Sequence, residues 1–210
     1  MIPDSTEIPD NNRAVRRKAF VDAAREAFFT RGYGATTMSS IAATVGGSKT
    51  TLWSYFPSKE DLFAAVIDDI VERYSLALTV ELDEDEPIEP ALRRIGVAVM
   101  ATIMSDPIIA LHRVVTGEAL RFPELGAMFY ERGPRRGKER MAAYVAAAMA
   151  DGRLRHGDPM VAARQFSGML QSGCFQETLL GIDGYRTPET IRRDLDAAID
   201  TWLRAWLPGT

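Results

Sequence analysis

Apolar residues return at every third or fourth position along almost the whole of this 210-residue sequence, and nowhere do β-branched residues alternate with polar ones over a useful length. A chain patterned this way buries its apolar surface as packed helices, so the expected fold class is all-α. With 46% hydrophobic and 26% charged residues it has enough apolar mass for a sizeable core. The longest uncharged apolar run, near 95–104, is well short of the ~20 residues that cross a bilayer. No membrane partner is expected.

Several chemistries are disfavoured at once. One cysteine, Cys174, leaves no internal disulfide framework and no cysteine-based zinc site, and it fits a reducing, cytoplasmic setting. Acids and prolines occupy the first ten residues, where a secretion signal would carry basic residues and then an apolar stretch. No Gly-x-Ser-x-Gly elbow occurs, and two histidines leave few nucleophile–base pairings. The run Gly46-Gly47-Ser48-Lys49-Thr50 ends like a phosphate loop but lacks the upstream glycine and the preceding strand. The chain is therefore expected to be no enzyme, with no metal and no cofactor.

The net charge of −4 conceals a division. Residues 13–60 hold eight basic and three acidic side chains, a local +5, while acids gather in the tail and in the proline-bearing run 81–90. The expected organisation is a flexible acidic tail at 1–12, a basic three-helix head at 13–60, a connecting helix at 61–80, an acidic linker at 81–90 and a helical bundle at 91–208. In the head, one helix begins near Arg13 and ends at Gly32, with Phe20, Ala23, Ala24, Ala27 and Phe28 on one face. Met38, Ile41, Ala42 and Val45 then repeat at helical spacing, with Thr37 placed as N-cap and Gly46-Gly47 as the stop. Ser48 can cap a short helix that carries Leu52 and Phe56 inward before Pro57, and Ser58 to Asp61 offers a capping box. In the bundle, prolines punctuate; Pro134 either separates two helices or kinks one that runs from Pro123 to about Ala150. The last helix starts at Thr187-Pro188-Glu189, with Ile191, Leu195, Ala198, Ile199, Trp202 and Trp206 on one face.

Two short helices joined by Val45-Gly46-Gly47 have the layout of a helix-turn-helix, in which the second helix enters the major groove of DNA. The outward set on that helix would be Lys49, Thr50, Thr51, Trp53, Ser54 and Tyr55, rich in small donors. Thr36 and Thr37 open the preceding helix, where backbone N–H groups can hold a phosphate. Lys49, Thr50 and Thr51, after Ser48, are expected to approach bases or the adjacent backbone, while Thr37, Trp53, Tyr55 and Lys59 clamp phosphates. Simple packing is the alternative for Trp53 and Tyr55.

At this point a resemblance emerges. Ala24-x-x-x-Phe28-x-x-x-Gly32-Tyr33, Thr36-Thr37-Met38, Ile41-Ala42, Gly46, Ser48-Lys49-x-Thr51-Leu52-Trp53-x-Tyr55-Phe56 and Ser58-Lys59-Glu60-x-Leu62 resemble the amino-terminal signature of TetR-family transcriptional regulators. Gly47, Thr50 and Trp53 depart from it, standing where the family commonly has a small apolar residue, glycine and tyrosine. Glu118-Ala119-x-x-Phe122-Pro123-Glu124-Leu125, Gly152-x-Leu154 and Ala162-Ala163-x-x-Phe166 resemble the carboxy-terminal domain of the AefR-like branch. The resemblance implies a homodimer that binds near-palindromic double-stranded DNA, usually as a repressor, and that a small-molecule effector releases. It also implies a dimer interface on the last two helices, here Phe166, Leu170, Leu195, Ile199, Trp202 and Trp206; burial of the tryptophans within one subunit is the alternative. An effector pocket would draw on Met100, Met104, His112, Phe122, Met128, Phe129, Tyr144, Met169, Gln171, Cys174 and Phe175, adaptable apolar surface with sparse polar groups. The rival to this reading is a helical ligand-binding or interaction protein without specific DNA recognition.

Overall fold

The computed structural model describes residues 8–81, 86–182 and 184–209. Among these there is no strand. The helices are α1 (Ile8–Arg31), α2 (Met38–Thr44), α3 (Lys49–Tyr55), α4 (Lys59–Tyr74), a 3-10 turn at Leu76–Leu78, α5 (Ile88–Ile103), α6 (Asp106–Glu118), α7 (Pro123–Arg132), α8 (Pro134–Ala150), α9 (Pro159–Gln171), α10 (Cys174–Leu179) and α11 (Pro188–Trp206). The chain gathers into two compact units. The first runs to Ile70 and takes in Val114–Phe129; the second comprises Val71–Arg113 and the chain from Tyr130 onward.

The first unit closes on an apolar centre supplied by every one of its early helices. Phe20, Ala24 and Phe28 come from α1, Ile41 and Ala42 from α2, Leu52 from α3, and Leu62, Phe63, Val66 and Ile67 from α4; all are buried. Phe63 meets Phe28 edge-on at 5.3 Å, and Tyr33 at 5.2 Å. The expected caps are in place: Thr37 and Ser40 form a reciprocal capping box on α2, Ser48 accepts from the Thr51 amide, and the Ser58 hydroxyl joins Asp61. Gly46 sits at φ +71°, the left-handed backbone that ends α2 without a side-chain penalty. Two expected boundaries move. The first helix begins at Ile8, not near Arg13, so 8–12 is helical, while 1–7 lie outside the described residues. Ile88 already opens α5 within the span expected to be linker, of which 82–85 lie outside the described residues.

In the second unit, Pro134 separates helices: α7 stops at Arg132, and Pro134 stands in the first turn of α8, where its missing N–H costs nothing. The apolar centre draws on α5, α8, α9 and α11 around Leu92, Val145, Phe166 and Trp202. Trp202 is 0% exposed, its indole N–H donates to the Ala162 carbonyl at 2.9 Å, and Phe166 meets it edge-on at 6.0 Å. Trp206 is also buried and donates to the Gln165 side chain.

This overturns the expected interface set. Phe166, Leu170, Leu195, Ile199, Trp202 and Trp206 are each no more than 5% exposed within a single chain, so they form the bundle's own core and present nothing to a second subunit. The physical reason is that α11 has one apolar stripe, and α9 and α5 already cover it: Trp202 meets Ala162 and Phe166 of α9, and Leu195 lies against Gly96 of α5. Trp202→Ala is expected to lower folding stability by about 3–5 kcal/mol in urea unfolding, the cost of emptying a filled core site. A midpoint and slope equal to the parent's would place the ring outside the core.

Candidate nucleic-acid interface

The turn between α2 and α3 presents one side of a two-turn helix. Leu52 points inward, 0% exposed, while Lys49, Thr50, Trp53 and Ser54 face out, with Trp53 40% exposed. An indole so exposed on an otherwise polar face is an unusual use of a large apolar ring. Ser48 and Thr51 are tied together: the Ser48 oxygen accepts from the Thr51 amide at 3.0 Å, and the two hydroxyls lie 2.8 Å apart. The Ser54 hydroxyl donates back to the Thr51 carbonyl. Tyr55 is half-buried, its ring 5.6 Å from Phe20, so packing accounts for much of that side chain.

Thr36 and Thr37 separate. Thr37 is exposed at the N-cap and keeps its place on the outward face. Thr36 is corrected: it is 1% exposed, its hydroxyl lies 2.8 Å from the Gly32 carbonyl and 3.1 Å from that of Ala27, and its amide donates to the Tyr33 carbonyl. It closes the turn after α1 and holds no group out to a phosphate. Lys59 is also largely turned inward. Its ammonium donates to the carbonyls of Tyr33 and Thr36 at 3.0 and 3.2 Å and lies 4.0 Å from the centre of the Tyr33 ring. Burial holds its pKa below the ordinary lysine value, against the opposing pull of Glu60 and Glu118.

The sequence assigned Phe122 to an effector pocket and gave Tyr33, Glu60 and Glu118 no role around this lysine. The Gly34 amide donates to Glu118 Oε1 at 2.8 Å, and the Phe122 ring meets Tyr33 edge-on at 5.0 Å. The Tyr33 phenol donates to Glu60, and burial raises its pKa. The only sequence signal was the short motif spanning Glu118 and Phe122. Sequence reasoning also treated the arginines of α1 only as charge, yet Arg13 lies over the Tyr55 ring at 5.4 Å and Arg17 over Phe56 at 5.0 Å.

The expected pocket set does not stay together. Phe122, Met128 and Phe129 belong to the first unit, and Phe122 is part of its aromatic cluster. In the second unit, Met100, Met104, Tyr144, Cys174 and Phe175 are buried core, while His112, Met169 and Gln171 are half-buried. His112 Nδ1 lies 3.0 Å from the Ile108 carbonyl, and its ring meets Phe175 edge-on at 5.3 Å. Burial pushes the Cys174 thiol up to about 11, which makes it a poor nucleophile at neutral pH. No group of three or more metal-ligating side chains occurs among the described residues, and no single helix there is long and apolar enough to cross a membrane.

Two outcomes follow from these placements. Lys59→Met keeps the aliphatic stem but removes the ammonium from the Thr36 carbonyl and leaves the Tyr33 carbonyl with the Thr36 amide alone, so it is expected to lower the stability of the first unit by about 1–3 kcal/mol; an unchanged melting curve would return the ammonium to the solvent side. Burial holds the His112 pKa below its ordinary value of 6.5. The unfolded chain therefore takes up this proton first, and the contribution of His112 to stability is intact above that value and lost as pH falls below it. Urea midpoints measured between pH 7.5 and 5.5 should decline toward acid, and His112→Gln should flatten that decline.

Comparison with known proteins bears on both units. Residues 20–66 match the family described as bacterial regulatory proteins, tetR family, and residues 90–208 match the AefR-like transcriptional repressor, C-terminal domain. The solved structure of the flavonoid-responsive regulator FrrA is 32% identical, with a TM-score of 0.78, over 94% of this chain and 100% of that one. A TetR-family regulator from Mesorhizobium loti is 28% identical, with a TM-score of 0.75, over 93% of this chain and 98% of that one. The transcriptional repressor ComR of Escherichia coli (strain K12) is 32% identical over 97 residues, 44% of this chain and 46% of ComR. The chain spans about half the length of the curated relatives it matches.

Proposed function

Because the chain belongs to the TetR family of bacterial regulators and carries its AefR-like carboxy-terminal domain, we propose that it is a dimeric, effector-responsive transcriptional repressor of the cytoplasm. The observation that carries the reading is the short helix α3, anchored by the fully buried Leu52 while Lys49, Thr50, Trp53 and Ser54 stand outward in a basic head. Lysine and hydroxyl side chains on such a helix can meet both base edges and phosphates in a major groove, where phosphates set register and base edges set sequence. Thr37 supports it from the start of α2.

One seven-residue helix reads only a few base pairs, which favours a pair of heads. Two-fold related copies of α3 would contact half-sites about 34–36 Å apart or a multiple of that, so the operator is near-palindromic. Since the apolar stripe of α11 is spent inside the subunit, pairing falls to the solvent-facing sides of α9 and α11, where Val161 is exposed. The effector belongs to the small apolar or amphipathic class, in keeping with the aliphatic and methionine-bearing interior of the second unit and with the flavonoid response of FrrA. A tenfold release from DNA requires the effector to favour the weaker-binding state by only about 1.4 kcal/mol.

Binding of a randomised duplex library tests the reading: selection should converge on one short inverted repeat with a steep salt dependence. Lys49→Ala should weaken binding to that repeat about tenfold, within the range of one lost base or phosphate contact, while its melting temperature stays at the parent's value. Equal affinity would remove Lys49 from the interface.

A further inference from the structure

The first helix carries three guanidinium groups that the reading above does not use. Arg13, Arg16 and Arg17 are exposed, and among the described residues none of them makes an ion pair. Their neighbours on α1 differ: Lys18 pairs with Asp22, and Arg25 with Asp22 and Asp69. Asp22 and Asp69 thus face Lys18 and Arg25.

The three arginines are held in place beside α3. Arg13 lies over Tyr55 and Arg17 over Phe56, at the end of that helix. Arg16 lies at its beginning, against the turn: a Cβ on Gly47 would stand 3.2 Å from Arg16 Nη2 and 3.4 Å from the Phe20 ring. A side chain at position 47 would press on that guanidinium and require it to shift by a few tenths of an ångström. Between α1 and the turn, Asn12, Arg13, Arg16, Val45 and Tyr55 border an open groove of about 670 Å3.

We infer that this groove is a second DNA-contact element, which receives the sugar-phosphate backbone along one wall of the major groove that α3 occupies; the inference rests on the DNA-binding reading above. A helix with its side chains is about 10–12 Å across, close to the ~12 Å width of the major groove. Whatever flanks α3 at the same height therefore meets the phosphate wall and not the bases. A guanidinium stacked on an aromatic face has already given up much of its rotamer freedom, and its planar fork suits two phosphate oxygens at once. The arginines of α1 add affinity and salt dependence, and leave the choice of bases to α3.

The test uses the full-length protein and the duplex that it selects from a random library, with affinity measured across a range of salt concentrations. Each phosphate contact contributes about 0.9 to the slope of log K against log salt. Arg13→Ala/Arg16→Ala should lower that slope by about three to four for a dimer and weaken binding at least about tenfold at 0.15 M salt, with the selected sequence and the melting temperature unchanged. The Arg13→Lys/Arg16→Lys variant should recover most of the slope. An unchanged slope in the alanine variant overturns the inference, as does a change in the preferred bases, which would make these arginines base readers. If the unaltered protein prefers no duplex over random sequence, the DNA-binding reading itself falls, and this inference falls with it.

Discussion

A seven-residue helix cannot stand by itself in water, where isolated helices shorter than ~12–15 residues are marginal, and the first unit is organised around holding one. Leu52 and Phe56 anchor α3 into the aromatic centre formed by α1 and α4, while Ser48 closes its first turn. Because α3 has only two turns, one face is consumed by anchoring and the rest is available outward. Inward and outward positions of the same short segment are thereby separated: Leu52 is buried, while Lys49 and Thr50 stand exposed.

Charge follows the same division of labour. The whole chain is acidic, yet the head has an excess of basic groups, and they do unlike things. Lys18 and Arg25 brace α1 through Asp22 and Asp69. Lys59 is turned onto two carbonyls and an aromatic face. Arg13 and Arg17 lie over the Tyr55 and Phe56 rings at the end of α3. A count of positive residues cannot separate these roles, since each depends on what the side chain meets in space.

The same limit decides how much could be read from the sequence. The helical class, the caps at Thr37, Ser48, Ser58 and Thr187, and the turn at Gly46 were legible because each rests on residues within three or four positions of one another. Thr36 and Thr37 are adjacent and chemically alike, and only the packing of the loop against Ala27 and Gly32 sends one inward. The stripe ending in Trp202 and Trp206 was correctly read as apolar, but periodicity says that a face is covered and not by whose surface. Phe122 was assigned to a pocket by its chemistry, whereas the fold brings it to Tyr33 and Lys59, far away in sequence.

The junction between Gly34 and Glu118 spans 84 positions of the chain. On the ribosome, the head is therefore left unfinished long after α1, α2 and α3 have emerged: the Gly34 amide and the Tyr33 ring wait for the elbow between α6 and α7. Closing so long a loop is slow compared with forming the helices themselves. A nascent chain that has exposed α3 has consequently not yet acquired the brace for the turn that precedes α2, and the first unit is completed only when synthesis has passed Phe122.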